Sequence, residues 1–129
     1  MASIILFLRP KVITDMPKLY SLADAMLLTL EDKEYANMTI PGKVQSYMAR
    51  GKAVIASVNG ASSSFIKENN LGYVCDAGDY KSLASLINNL DLDSLKEIGK
   101  HSYDIYMKEY HKDIFMKTLI DNLEKLISD

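Results

Sequence analysis

Residues 53–58, Ala-Val-Ile-Ala-Ser-Val, form a β-branched, uncharged run bracketed by Gly51 and by Asn59-Gly60. A run of this kind is the pattern of a strand covered on both faces, as in a parallel sheet with helices on either side. The residues before it fit that reading. Pro41 suits the first position of a helix, where a backbone N–H has no partner and φ is already helical. Val44 and Met48 fall four apart and give that helix one apolar face. Gly51 stands where a helix ends on a left-handed residue. The whole stretch 40–60 therefore reads as helix, glycine stop, buried strand and glycine turn into another helix. In open α/β sheets ligands bind at the carboxyl ends of strands beside helix starts, and this stretch supplies one of each: the end after Val58 and the start around Pro41 to Lys43.

The rest of the chain repeats the alternation. Ile4 to Leu8 reads as a buried strand; the apolar run is too short for a secretory leader or a spanning helix, and no basic residue precedes it. It begins almost at the first residue, which suggests a chain cut from something longer. Thr14 or Asp15 is expected to cap a helix through Ala23, with Pro17 in its first turn and Leu19, Leu22 and Ala23 facing the sheet. Ala25 to Leu30 reads as a second strand, and Glu31 to Met38 as a polar loop at its carboxyl end. Ser62 to Asn69 is expected to be helical, with Phe65 and Ile66 inward. Gly72 to Asp76 is a fourth, shorter strand. Asp79 caps a helix through Leu90, with Leu83, Leu86, Ile87 and Leu90 at helical spacing. Two further helices follow, Ser94 to Tyr110 and Lys112 to Ser128; Ile114, Leu119, Leu123 and Leu126 or Ile127 form the last one's apolar stripe.

Four strands alternating with helices predict an α/β fold: a parallel, Rossmann-like sheet of about four strands flanked by helices, in one domain. Residues 1–90 carry the β/α units and 91–129 the C-terminal helices. The net charge of −2 lacks the basic footprint of a nucleic-acid partner. Cys75 is the single cysteine, so no internal disulfide is possible; its apolar strand points to a buried spectator thiol in a reducing, cytoplasmic setting. His101 and His111 read as surface or packing residues, without ligand spacing, so no metal and no cofactor is expected. A sheet of this kind takes a nucleotide, a flavin, a phosphoryl group or only another protein, and the pattern alone does not choose.

The residues carry more than a pattern. Asp15-Met-Pro-Lys-Leu-Tyr20, Ala23-Asp24, Pro41-Gly-Lys-Val-Gln-Ser-Tyr-Met-Ala49, Gly51-Lys-Ala-Val-Ile-Ala56, Asn59-Gly60 and Leu71-Gly72 occur in one order and spacing. Together they resemble the C-terminal domain of group 1 GT-B glycosyltransferases, from about Ile5 through about Leu90. The Pro41 to Ala49 segment is most similar to a bacterial branch that adds N-acetylfucosamine-like sugars in O-antigen and capsule assembly. The resemblance implies two Rossmann-like domains facing a cleft. The N-terminal one contacts the acceptor. The C-terminal one binds a nucleotide sugar, usually a UDP-sugar, for metal-independent transfer to a hydroxyl, often on a lipid-linked glycan.

On that resemblance the donor-binding candidates are Lys43, Thr39, Gly42, Ser46, Arg9 and Gly60, and no catalytic residue is assigned. Lysine at a helix start opposes the macrodipole, and a pyrophosphate near the helix start at Pro41 to Lys43, on the Gly42 and Lys43 amides, would reverse that penalty. A solvated surface lysine is the plain alternative. Thr39 would add a hydroxyl at the same spot or simply cap the helix. Arg9 follows the first strand, where relatives place a basic residue near the nucleobase. Gly60 would let amides approach the donor or would serve as a plain turn. Tyr35 and Glu34 are weaker sugar contacts, and Asp24 reads as structural. Relatives carry two Glu eight positions apart across this helix; here those positions are Met38 and Ser46, and only Ser46 retains a hydrogen-bonding group, for a ribose hydroxyl.

The family's domain begins with two further strand–helix units and follows an acceptor domain. Neither is in this sequence, so the expectation is the last two-thirds of a donor domain that does not transfer sugar alone. Without those units the strand edge is open, and the last helix, which in relatives crosses to the other domain, has its stripe uncovered; together these predict a homodimer, with swapped elements as one form of it. Nothing in the sequence is a membrane anchor. Three readings stay open: the donor-binding part of a glycosyltransferase, a non-catalytic interaction module derived from one, and a flavodoxin-like regulator. The last is weakened by the lack of an acidic cluster at the strand ends.

Overall fold

The computed structural model describes residues 8–128. A 3-10 turn, Ile13–Asp15, leads into helix α1 (Met16–Leu22), then strand β1 (Ala25–Thr29) and a one-turn helix α2 (Glu34–Asn37). Helix α3 (Gly42–Ala49), strand β2 (Ala53–Ser57), helix α4 (Gly60–Glu68) and strand β3 (Gly72–Cys75) follow. Helices α5 (Tyr80–Asn88) and α6 (Leu92–Ile105), a π turn (Tyr106–Tyr110) and α7 (Lys112–Ser128) complete the chain. The sheet has the order β1-β2-β3 and every pair is parallel, with Ala25 opposite Ala53 and Val54 opposite Gly72. This is the α/β class that the alternation predicts, with three strands among the described residues. The strand read over residues 4–8 falls, up to residue 7, outside the described residues; Leu8 is exposed and in no regular element.

β2 is central and buried along its whole length, as its uncharged sequence requires. Its side chains alternate between two cores. Val54 and Ala56, with Val58 just beyond, pack on one face with Leu28 from β1, Val44 and Met48 from α3, Ile66 from α4 and Leu71. Ala53 and Ile55 point to the other, against Leu95 of α6, with Leu83 and Leu90 around them. The i, i+4 pair Val44 and Met48 is fully buried, so α3 docks by the face its sequence marks out. Gly51 ends α3 with φ +63°, and the backbone of α6 crosses it at Gly99. A Cβ on Gly99 would collide with the Gly51 carbonyl, so the α3 stop and the α6 crossing are a single fitted contact.

Several local expectations are corrected. Residues 31–38 are not wholly loop: α2 forms inside them, and the buried Ala36 anchors it. Pro41 lies one position before the helix, in extended conformation (ψ 141°), and Gly42 takes the first helical position. α4 begins at Gly60, two residues earlier than the apolar spacing indicates. Leu22 does not face the sheet; it is 75% exposed beside β1, the edge strand. Ile87 of α5 is likewise exposed. Cys75 is half-buried rather than buried, and its Sγ lies 3.5 Å from the Ala56 carbonyl oxygen. The Asp79 cap holds: its carboxylate accepts from the Ser82 amide at 3.0 Å and the Ser82 hydroxyl at 2.6 Å.

Candidate functional site

The carboxyl ends of the three parallel strands release loops at Leu30, Val58 and Asp76, and the starts of α3, α4 and α5 return to this edge. Asn59 ties the loops together. Its Oδ1 accepts from the Ala77 amide after β3 at 3.1 Å, and its side chain lies near enough to the Asp32 carboxylate after β1 to favour its charged form. Asn37 of α2 donates to the same carboxylate at 2.8 Å. These neighbours, Asn37 first and Asn59 second, hold Asp32 below its ordinary value of 3.8. The network fixes the loop after β1, which the sequence presents only as polar residues.

Thr39 and Gly60 lie together within this frame. The buried Ser62 hydroxyl of α4 donates to the Thr39 carbonyl at 2.7 Å. The Thr39 hydroxyl donates back to the Ala36 carbonyl at 3.1 Å, so it does not cap α3, whose first turn has no side-chain cap. Gly60 has φ +62°, and a Cβ there would run into the Asn37 backbone. Glycine is thus required at Gly60 for α4 to pack against the Asn37 backbone.

Gly42 and Lys43 are different. Both are exposed, and a Cβ built on Gly42 meets nothing within 4 Å. The Lys43 ammonium makes no ion pair or hydrogen bond with any described residue. At the start of α3 the Val44 amide donates to the Pro41 carbonyl at 3.0 Å, while the exposed Gly42 and Lys43 leave the helix start open beside a free cation, the arrangement that suits an anion. Ser46 sits one turn further on. Its hydroxyl donates to the Gly42 carbonyl at 3.3 Å, and it borders a hollow shared with Met16, Pro17 and Tyr20 of α1. Arg9 is exposed in the segment before the 3-10 turn, with no bond to the other five candidates. The structure thus groups Gly42, Lys43 and Ser46 on one helix and Thr39 with Gly60 beside it, and leaves Arg9 apart.

An open groove of about 620 Å³ runs along the same edge on the α5 side, and none of the six candidates lines it. Thr29, Ser57, Asp32, Gly78 and Tyr80 do. Tyr80 is 73% exposed at its rim. Sequence spacing missed this groove because its walls come from the loops after β1 and β3, the end of β2 and helix α5; the available signal was the run Asp76-Ala-Gly-Asp-Tyr80, which contains the recognised Asp79 cap. The groove carries carboxylates, Asp32 and Glu31, against one cation, Lys33, which is already paired with Glu31 at 2.7 Å. It suits hydroxyl groups better than phosphate, whereas the start of α3 suits phosphate. Tyr35 stands exposed on α2 nearby.

His101 contacts the Asn69 carbonyl oxygen at 3.0 Å, and His111 stacks edge-on against Tyr106. No cluster of His, Cys, Asp and Glu among the described residues is placed to hold a metal ion. No helix among the described residues is long and apolar enough to cross a membrane.

A family model described as "Glycosyl transferases group 1" matches residues 3–93. No curated protein and no solved structure matches the chain. The family match spans well over half of the sequence and includes every strand and loop of the candidate site, so the chain belongs to the group 1 glycosyltransferases.

Proposed function

From membership of that family, we propose that the chain is the nucleotide-sugar-binding part of a glycosyltransferase, with a UDP-sugar as donor and bacterial surface-polysaccharide assembly as its setting. One observation carries the reading. The start of α3 presents Gly42 and Lys43, unobstructed and unpaired, at the carboxyl edge of a parallel sheet. In the transfer, the bond between the sugar's anomeric carbon and the diphosphate oxygen breaks. A bond from that carbon to an acceptor hydroxyl oxygen forms, the hydroxyl proton is released, and the nucleoside diphosphate departs. Helix-start amides and the Lys43 charge stabilise the departing diphosphate without a metal. Asp32, kept ionised by Asn37 and Asn59, offers an acceptor to ribose or sugar hydroxyls in the neighbouring groove. The acceptor hydroxyl would be presented by an acceptor-binding domain as partner. The polysaccharide setting rests on the Pro41 to Ala49 segment, and a cytoplasmic location on the single, unpaired Cys75.

A second reading, a non-catalytic module that keeps the sheet, has its own support. Met38 and Ser46 stand where relatives carry carboxylates, and the Ser46 hydroxyl is engaged by its own helix. Calorimetry with UDP and UDP-GlcNAc separates the two. The donor reading expects weak binding that Lys43→Ala reduces about tenfold, a loss of ~1.4 kcal/mol. No heat at millimolar ligand would favour the module.

A further inference from the structure

The amino-terminal edge of the sheet, opposite the candidate site, carries a groove of its own, open and about 640 Å³ in volume. Arg50, Lys52, Lys96 and Lys100 line it with Ser21 and Tyr103, and none of its lining residues is acidic. The chain as a whole has a net charge of −2, so four cations around one groove are a local concentration and not a general excess. The fold holds them there. Gly51 stops α3 at φ +63°, with Arg50 before it and Lys52 after it. α6 crosses at Gly99, where a Cβ would strike the Gly51 carbonyl, and the Tyr103 stem lies beside Gly51. Lys96, Lys100 and Tyr103 recur on α6 at four- and three-residue steps, which sets them on one face. The carboxylates Asp93, Glu97 and Asp104 follow on the next stripe of the same helix.

Two of the four cations have partners within the chain. Lys52 Nζ donates to the Ala23 carbonyl at the end of α1 at 2.7 Å, and Lys96 lies 3.5 Å from the Asp93 carboxylate in a pair exposed on both sides. Arg50 and Lys100 make no ion pair or side-chain hydrogen bond with any described residue. A cation at the end of α3 complements the helix dipole, which accounts for Arg50 in part; Lys100, in the middle of α6, has no such role. Like charges gathered in a cleft repel one another and draw in an anion. We propose that this groove binds a phosphate group, carried by a soluble phosphate ester or by a lipid headgroup. The planar fork of Arg50 matches two phosphate oxygens, Lys96 and Lys100 add point charges, and the Tyr103 hydroxyl supplies a further donor. The groove lies at the opposite end of β2 from the candidate donor site, roughly 16 Å of strand away, and it does not depend on the donor reading.

Amide NMR of the full chain during titration with inorganic pyrophosphate tests the proposal, together with co-sedimentation on phosphatidylcholine vesicles with and without phosphatidylglycerol. Pyrophosphate is expected to shift Arg50, Gly51, Lys52, Lys100 and Tyr103, and these are read apart from any shifts at Gly42 and Lys43. The double variant Arg50→Ala with Lys100→Ala, changed at exposed positions only, should weaken binding in the groove about tenfold and leave Gly42 and Lys43 responding as before. Circular dichroism checks that it folds. Raised salt should weaken binding at the groove as well. Retention on the vesicles with phosphatidylglycerol, lost in the double variant, assigns the site to a lipid headgroup. Groove shifts with pyrophosphate and no retention on either vesicle assign it to a soluble phosphate ester. Neither groove shifts nor retention would overturn the proposal, and so would binding that the double variant leaves unchanged.

Discussion

Gly42 and Gly60 each open a helix at the carboxyl edge of the sheet, and in sequence the two look alike. In space they do opposite things. Gly60 adopts φ +62° with its missing Cβ pointed at the Asn37 backbone, and it lets α4 seat under α2. Gly42 faces open space, with Lys43 beside it and no protein group in front. One glycine is there for packing and the other leaves a vacancy that a ligand can use. A glycine at a helix start is thus a candidate site residue only where its Cβ direction is open.

The contrast is broken most forcefully at Gly60. Gly60→Ala must place a side chain in a left-handed conformation and push Asn37 aside, and a loss of at least ~2–4 kcal/mol in a urea melt is expected. Gly42→Ala should change the same melt by less than ~1 kcal/mol. Equal losses at the two positions would erase the distinction. Ser62→Ala comes next. It removes a buried donor and strands the Thr39 carbonyl, costing ~1–3 kcal/mol by the same measurement. Lys43→Ala should leave stability within about 0.5 kcal/mol of wild type, since the exposed side chain supports nothing in the fold. Its effect belongs to binding alone.

The smallest effect is electrostatic. Asp32 has a folded value below its unfolded one, held there by Asn37 and then Asn59. The stabilisation it contributes is therefore complete above the unfolded carboxylate value of 3.8 and is lost as pH falls through the folded value. Asp79 and Asp91, lowered by bonds from Ser82 and Ser94, act in the same direction. Asn37→Ala should move the Asp32 titration, followed by carboxyl NMR, back up toward 3.8; an unmoved titration would remove Asn37 as its cause.

Much of the fold could be read before any coordinates. The three described strands fall on the apolar runs, because a strand buried on both faces admits no charge and β2 is such a strand. The Gly51 stop and the buried Val44 and Met48 follow from local spacing alone. The site was less legible. Thr39 looks like a helix cap, but α2, hidden in a polar loop, claims its hydroxyl through Ala36. Ser46, expected as a ribose contact, donates its hydroxyl to the Gly42 carbonyl, a bond that the spacing does not reveal. Asp32, Asn37 and Asn59 carry no motif, since their bonds join three loops far apart in the chain. The stripe of α7 was visible as periodicity, yet periodicity does not say whether a face is covered.

On the proposed function, the start of α3, and not the groove beside Tyr80, takes the diphosphate. Backbone amide NMR during titration with UDP tests it most directly. The largest shifts are expected at Gly42, Lys43 and Val44, reduced in Lys43→Ala, with smaller shifts at Asp32 and Tyr80. Shifts confined to the Tyr80 groove, or none at millimolar UDP, would contradict it.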